Sequence, residues 1–257
     1  MEIILVSTVA LMASCLTLFS GFGLGTLLMP VVALFFPIEV AIGVTAIVHL
    51  SNNLFKVALL GRHAHKTVLL KFGLTAVMAA FLGAWLLGWL AEQGQVITYQ
   101  CLGHDFETTG LKLIVGGLIL LFVMLEFSKK FNTWALDPKY LPLGGLVSGF
   151  FGGLSGHQGA FRSLFLLKAG LTKEQFVATG VMVAVMVDVS RLLVYGQDMV
   201  ANHQLVDWPL VIAATLSAFV GAYLGKKWLQ KVTINLIHFL VSLLLVVVAL
   251  GLITGLI

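Results

Sequence analysis

Long apolar runs, separated by short polar segments, follow one another along almost the whole chain. They cover residues 3–20, 24–36, 38–60, 70–91, 110–127, 141–155, 159–168, 174–196, 208–229 and 234–257. An α-helix rises about 1.5 Å per residue, so about 20 apolar residues span the hydrocarbon core of a bilayer. Several runs reach this length, and the four shorter ones form two adjacent pairs. The pattern predicts an all-α integral membrane protein.

The composition changes this prediction only by excluding other classes. Hydrophobic side chains make up 60% of the 257 residues and charged ones 10%, against about 45–50% and about 25% in soluble domains. We therefore exclude a soluble enzyme, a nucleic-acid-binding protein and a disordered chain, and we treat residues 1–257 as a single membrane transport domain in the lipid bilayer. The net charge of +4 does not indicate nucleic acid as a partner, because basic residues of membrane proteins mark cytoplasmic loops.

Glycine-rich breaks split each pair of short runs. The first break covers Gly21 to Gly25 and is closed by Pro30, and the second runs from Gly149 to Gly159. Glycine and proline weaken a helix and free backbone groups, which in lipid must be satisfied by protein or by a water-filled cavity. Each pair is therefore predicted to be a broken helical hairpin. The 18 residues of run 3–20 also fit a full crossing, so that alternative stays open.

The two halves of the chain repeat at an offset of 135 residues in the sequence. The offset pairs Ser20-Gly21 with Ser155-Gly156, Glu39 with Glu174, Asn53 with Asp188, Lys56 with Arg191, and Gly61 with Gly196. We interpret this as an internal duplication, with repeat one at 1–127, a cytoplasmic linker at 128–139 and repeat two at 140–257. A polar insertion at 93–109 belongs to the first half only.

Lysine and arginine fix the orientation of the helices. They occur in the segments 61–71, 128–139 and 226–231 and are missing from 92–109 and 197–207, so the first three are predicted to be cytoplasmic and the other two external. This places the repeats in opposite orientations, each one a re-entrant or broken hairpin followed by three transmembrane helices. Inverted repeats with broken helices are typical of secondary transporters, which bind substrate at the breaks.

The residues at the breaks resemble those of the sulfite exporter TauE/SafE family. The resemblance lies in the stretch from Gly21 to Pro30 and in the stretch from Gly149 to Gly159, which continues as Ala160-Phe161-Arg162. It implies a multi-pass permease of the bacterial inner membrane that carries small sulfur anions such as sulfite, sulfonates, sulfoacetate or thiosulfate. One departure is that Phe165 stands at the position matching Pro30.

The second break carries the strongest candidates for substrate binding. An arginine inside the membrane costs about 2.5–3.5 kcal/mol on insertion scales and usually faces a cavity or a partner, and the planar guanidinium of Arg162 suits an oxyanion. The alternative is a structural arginine that snorkels to the interface or pairs with Asp188. His157 and Gln158 can donate hydrogen bonds at the tip, and His157 could couple proton and anion movement; the alternative is a helix cap.

Backbone groups at the breaks are further candidates. The glycines expected to present N–H groups to an anion are Gly21, Gly23, Gly25, Gly156 and Gly159, since a helix N-terminus favours negative charge. Ser155 is a further candidate for substrate binding. The alternative is tight helix packing by small residues.

A polar stripe on run 38–60 is expected to line the substrate path. His49, Asn52, Asn53 and Lys56 follow the spacing i, i+3, i+4, i+7 and therefore share one helix face. On the partner helix, Asp188 and Arg191 are three residues apart and are expected to form an ion pair. The alternative is structural hydrogen bonding that clamps the hairpins.

Other functions receive less support from the sequence. The string Gly153-Leu154-Ser155-Gly156 is also compatible with an intramembrane serine protease, and a passive anion channel is a closer alternative. No nucleotide-binding or zinc-protease motif is present, and the His63/His65 loop lacks a third metal ligand, so we expect no cofactor, no metal and no enzymatic activity. An inside-negative potential favours anion export by about 2.3 kcal/mol per charge per 100 mV. The driving ion and the oligomeric state stay open.

Overall fold

The computed structural model describes residues 1–20, 23–101, 103–128, 136–201, 206–228 and 234–256. Within these ranges the chain is almost entirely helical, as predicted. The helices are α1 Glu2–Ser20, α2 Leu24–Val32, α3 Ile38–Leu60, α4 Lys66–Glu92, α5 Gly110–Phe127, α6 Leu141–Ser155, α7 Gly159–Leu166, α8 Lys173–Ala201, α9 Trp208–Trp228 and α10 Ile234–Thr254. Helix α4 contains one π-helical turn at Leu69–Gly73, and short 3₁₀ turns lie at Gly61–His63 and Pro138–Tyr140.

The helix boundaries follow the offset found in the sequence. Helices α1 and α6 end at Ser20 and Ser155, and the next helices begin at Leu24 and Gly159, each pair 135 residues apart. Within each half the two short helices pack against each other. The prediction that Pro30 closes the first break was wrong, because Pro30 lies inside α2, which continues to Val32. A proline removes only the backbone hydrogen bond of its own nitrogen, and membrane helices tolerate that loss.

The two halves pack on each other reciprocally. The first helix of each half lies along the fourth helix of the other, so that α1 packs on α9 and α6 on α4, while α3 packs on α8 and α5 on α10. Glycines let the backbones touch: a Cβ atom on Gly149 would lie 2.1 Å from the carbonyl oxygen of Ala76, and one on Gly221 would lie 2.1 Å from that of Leu11. Small residues at such contacts are typical of membrane helices.

The outer surface is apolar, whereas the charged side chains of the broken region lie inside. On α9 the exposed residues Trp208, Ile212, Leu216 and Val220 recur every fourth position, which places them on one helix face. Large exposed apolar faces are rare on soluble monomers, and here they face lipid. Among the described residues, helices long and apolar enough to span a membrane are Ile38–His63, Lys66–Glu92, Lys173–Gly196 and Trp208–Gly225, two in each half; shorter apolar stretches lie in α1, α5 and α10.

The insertion at 93–109 forms a β-hairpin that the sequence analysis missed. Strands β1 (Val96–Cys101) and β2 (His104–Thr109) pair antiparallel, and Gly103 adopts φ 79° between them. The hairpin covers the end of α10: Thr108 Oγ1 donates to the Leu252 carbonyl (2.9 Å) and the Tyr99 hydroxyl to the Thr254 carbonyl (2.7 Å).

Candidate functional site

The two breaks meet inside the protein. Helix α6 ends at Gly156, which adopts the left-handed φ of 80° and donates its N–H to the Gly152 carbonyl at 3.0 Å. Glycine suits this helix end because it carries no Cβ. A Cβ atom on Gly25, in the first turn of α2, would lie 3.9 Å from the Gly156 carbonyl oxygen. The start of α2 therefore lies against the end of α6.

A buried carboxylate ties the halves together beside the breaks. His49 Nδ1 lies 2.6 Å from Asp188 Oδ2, and Asn53 Nδ2 donates to the same oxygen at 3.3 Å. Arg191 Nε donates to Asp188 Oδ1 at 3.0 Å, and its Nη2 lies 2.8 Å from that oxygen. The ion pair expected between Asp188 and Arg191 is thus formed, and all four side chains are buried. Such complete pairing compensates the cost of burying the carboxylate.

Asn53 and Asp188 are the two positions that the predicted duplication pairs with each other. They lie 135 residues apart and share a hydrogen bond. Two equivalent positions can contact each other only near a symmetry axis, where a two-fold brings a patch against its own copy. The reciprocal helix packing and this contact are therefore both consistent with a pseudo-two-fold axis that passes close to Asp188.

A small cavity lies next to this network. The polar residues that line it are Thr17, His49, Asn53, Lys56, Arg162 and Ser163, and the remaining lining is Gly23, Leu24, Leu166, Phe176, Val177, Gly180 and Val181. Lys56 is 3% exposed and Arg162 is 8% exposed. Two buried cations thus share one cavity whose described lining contains no carboxylate. The hydroxyl of Thr17 is also buried and has no hydrogen-bond partner among the described residues.

Arg162 is positioned by the second break. Its Nη1 donates to Gln158 Oε1 at 3.4 Å, and its backbone N–H donates to the Gln158 carbonyl at 3.0 Å. Gly180 on α8 gives the guanidinium room, because a Cβ atom there would lie 3.3 Å from Arg162 Nε. Asp188, the carboxylate considered as a partner of Arg162, is paired with His49 and Arg191 instead. Because Arg162 is buried inside the protein, its position also argues against snorkelling to the interface.

Lys56 is held by Asn52, which lies one helical turn before it on α3. In the amide orientation that satisfies its neighbours, Asn52 Oδ1 accepts from Lys56 Nζ at 3.1 Å and Asn52 Nδ2 donates to the Ala218 carbonyl at 3.2 Å. In the same orientation Asn52 Nδ2 lies 2.9 Å from Ser14 Oγ. Asn52 therefore links α3 to α1 and α9 and positions Lys56, but it does not line the cavity.

His157 lies in an aromatic environment behind the cavity. Its Nδ1 donates to the Ser155 carbonyl at 3.0 Å, because a carbonyl oxygen can only accept. The ring stacks on Phe122 with centroids 5.0 Å apart and an interplanar angle of 4°. Ser155 Oγ donates to the Phe151 carbonyl at 3.2 Å. These contacts are those of a capped helix end, which was the alternative considered for His157.

The structure brings together part of the predicted set. Gly23, His49, Asn53, Lys56 and Arg162 line the cavity. The other predicted residues that the structure describes do not line the cavity: Gly25, Asn52, Ser155, Gly156, His157, Gln158, Asp188 and Arg191. Gly21 lies outside the described residues.

Three polar or small lining residues were not predicted from the sequence: Thr17, Ser163 and Gly180. Ser163 follows Arg162 directly and Thr17 lies one helical turn before the first break, so proximity to the motifs was the available signal. Among the described residues, no cluster of three or more His, Cys, Asp or Glu is arranged to hold a metal ion.

Comparison with known families gives one match. The model of the family described as Sulfite exporter TauE/SafE matches residues 6–252, which is nearly the whole chain and includes both breaks and all the cavity residues. No curated protein and no solved structure matches the chain.

Proposed function

We propose a substrate site and a transport mode for this chain, which belongs to the sulfite exporter TauE/SafE family of membrane transporters. It is a multi-pass membrane protein with several apolar helices. In our proposal it is a secondary transporter that exports small sulfur-containing anions, such as sulfite, sulfonates, sulfoacetate or thiosulfate, across the bacterial inner membrane. The anion binds in the cavity between Lys56 and Arg162.

The observation that carries this proposal is the pair of buried cations in a cavity whose described lining lacks a carboxylate. A buried charge without a counter-ion is costly, and an oxyanion that accepts hydrogen bonds from both side chains would offset that cost. The planar guanidinium of Arg162 can bind two oxygens of one anion, while Asn53 and Thr17 offer additional hydrogen bonds. The hairpin-tip residues Gly156 and Gln158 position this site from behind.

The transport mode rests on the two repeats, 1–127 and 140–257, joined by the linker at 128–139. We propose that they have opposite orientations and that they rock against each other around the cavity, so that it opens alternately to either side. The reciprocal packing of α1 on α9 and α6 on α4 supports such a two-fold arrangement. Export is the direction favoured by an inside-negative potential, by about 2.3 kcal/mol per charge per 100 mV.

Flux into liposomes tests the proposal. Purified protein would be reconstituted and the flux of radiolabelled sulfite and thiosulfate measured for wild type, Arg162→Ala and the matched control Arg62→Ala, which removes an exposed arginine from the loop after α3. Hydrogen bonds to charged groups contribute about 1.5–3 kcal/mol, so we expect Arg162→Ala to bind the anion about 10- to 100-fold more weakly and Arg62→Ala to match wild type. Equal flux in all three proteins would remove Arg162 from the site.

The same liposomes separate the alternatives. A transporter exchanges labelled anion faster when unlabelled anion is present on the other side, whereas a passive channel shows no such acceleration. An intramembrane hydrolase would require Ser155 as nucleophile, but its hydroxyl donates to the Phe151 carbonyl. Ser155→Ala should therefore retain measurable flux.

A further inference from the structure

His49 connects the cavity to the ion pair between the halves. One side of its ring lies against Asp188, with Nδ1 2.6 Å from the carboxylate oxygen. The other side faces the cavity, because His49 lines it and a Cβ atom on Gly23, another lining residue, would lie 3.2 Å from His49 Nε2. The ring is 2% exposed, so its protonation depends on these neighbours alone.

The contacts determine which nitrogen can take up a proton. Nδ1 carries a hydrogen, since a carboxylate oxygen at 2.6 Å can only accept. In the neutral ring Nε2 then has a free lone pair, and the Asn53 amide lies against the ring, with its Nδ2 3.1 Å from Nδ1 and 3.3 Å from Nε2. If Nε2 takes up a proton it becomes a donor and needs an acceptor. An anion in the cavity can supply that acceptor, and the amide of Asn53 can rotate to present its oxygen.

The charges around His49 make its protonation depend on the anion. Asp188 and Arg191 face it from α8, Lys56 from its own helix α3, and Arg162 lies across the cavity on α7. With His49 neutral these four groups sum to two positive charges, and protonation would add a third. Like charges oppose that step, whereas an anion bound beside them favours it.

We propose that His49 takes up one proton at Nε2 when an anion occupies the cavity, so that the chain transports the anion together with a proton. The proton comes from hydronium in the aqueous phase to which the cavity is open: the O–H bond of the hydronium breaks, an N–H bond forms with the ring lone pair, and water is left behind. On release of the anion to the other side, the proton leaves with it. This inference rests on the proposed anion site and names its coupling ion.

Coupling of this kind changes what drives transport. Each proton cancels one negative charge of the anion, so the membrane potential acts on a smaller net charge. The direction then follows the combined gradients of anion and proton, and a rise in external pH would assist export.

Thiosulfate is the suitable probe because its own protonation does not change near neutral pH. Wild type, His49→Gln and the matched control His104→Gln, an exposed histidine of β2, would be reconstituted with a pH-sensitive dye inside the liposomes. Radiolabelled thiosulfate flux and internal pH would be recorded together, and thiosulfate affinity measured at about pH 6 and about pH 8. Size-exclusion profiles would establish that each variant is folded.

We expect wild type and His104→Gln to acidify the lumen as thiosulfate enters, and to bind thiosulfate more tightly at the lower pH, by up to about tenfold per pH unit for one linked proton. His49→Gln should bind with less than about twofold pH dependence and exchange thiosulfate without acidification.

Thiosulfate flux without acidification in wild type would overturn the inference and leave the proposed function standing. Acidification by His49→Gln that is as large as in wild type would also overturn the inference and leave the proposed function standing. The absence of flux in wild type would overturn the inference and the proposed function together. The wild-type measurement decides the question even if His49→Gln does not purify.

Discussion

Gly156 allows a direct test of how the hairpin tip supports the site. Its φ is 80°, and a Cβ atom there would lie 2.8 Å from Arg191 Nη1. Gly170, in the exposed turn between α7 and α8, has φ 71° and no heavy atom within 4 Å of the same position. Alanine at either residue carries the cost of left-handed backbone, about 1–2 kcal/mol. At Gly156, but not at Gly170, the side chain of Arg191 must also move.

The additional effect can be worked out from the contacts. Normal van der Waals separation is about 3.5 Å, so the guanidinium of Arg191 must retreat by about 0.7 Å. That movement stretches its contacts with Asp188, now 2.8 and 3.0 Å, and forfeits part of the roughly 1.5–3 kcal/mol that hydrogen bonds between charged groups contribute. We therefore expect Gly156→Ala to be less stable than Gly170→Ala and to lose most of its anion flux.

The assay compares the two variants with wild type by thermal unfolding in detergent and by thiosulfate flux in liposomes. Gly170→Ala should lose about 1–2 kcal/mol, a factor of about 5–30 in the folding equilibrium, and retain wild-type flux. If both variants lost the same stability and the same flux, the contact between the tip and Arg191 would play no part in the site. Wild-type stability and flux in Gly156→Ala would refute the reasoning altogether.

Two further predictions concern packing and orientation. Gly149→Ala places a methyl group 2.1 Å from a backbone oxygen of α4 and should destabilise the protein by about 1–3 kcal/mol or more. The control Gly88→Ala, with nothing within 4 Å, should be neutral or stabilise by up to about 1 kcal/mol. Unfolding in detergent measures both free energies, and similar values would rule out close packing of α4 on α6. In a background without native cysteines, cysteines at Lys66 and Asp207 should react with impermeant reagent from opposite sides of the membrane; labelling from one side would contradict the inverted orientation.

The helices could be predicted from the sequence because lipid imposes a simple rule on each segment. A run of apolar residues becomes a helix, and a break such as Gly156-His157-Gln158 interrupts it, without reference to distant parts of the chain. The same rule gave no information on residues 93–109, where the Val-Ile-Thr-Tyr run at 96–99 was the available signal for a strand. That signal is weak beside helices of twenty apolar residues.

The site could be predicted only to the level of which helices carry it. Arg162 and the stripe of His49, Asn53 and Lys56 were found because polar residues in apolar helices are conspicuous. The contact of His49 with Asp188 joins residues 139 apart, and no local pattern specifies which of several buried bases such a carboxylate will pair with. For His157 the position at the tip suggested substrate contact; in the structure its Nδ1 donates to Ser155 and its ring stacks on Phe122, while its buried Nε2 has no hydrogen-bond partner among the described residues.

The contribution of Lys56 to the positive charge of the cavity follows from one difference between the two halves of the chain. In the second half an acid stands three residues before the base, and Asp188 pairs with Arg191. At the equivalent positions of the first half the acid is replaced by an amide, Asn53, so that within the described residues Lys56 has no carboxylate partner. If Asn53 were an acid, it would neutralise Lys56 as Asp188 neutralises Arg191, and Arg162 alone would be left in the cavity to attract an anion. In the predicted duplication, one half thus has an ion pair and the other has a lysine without a described carboxylate partner. This difference places positive charge on one side of a nearly symmetrical scaffold.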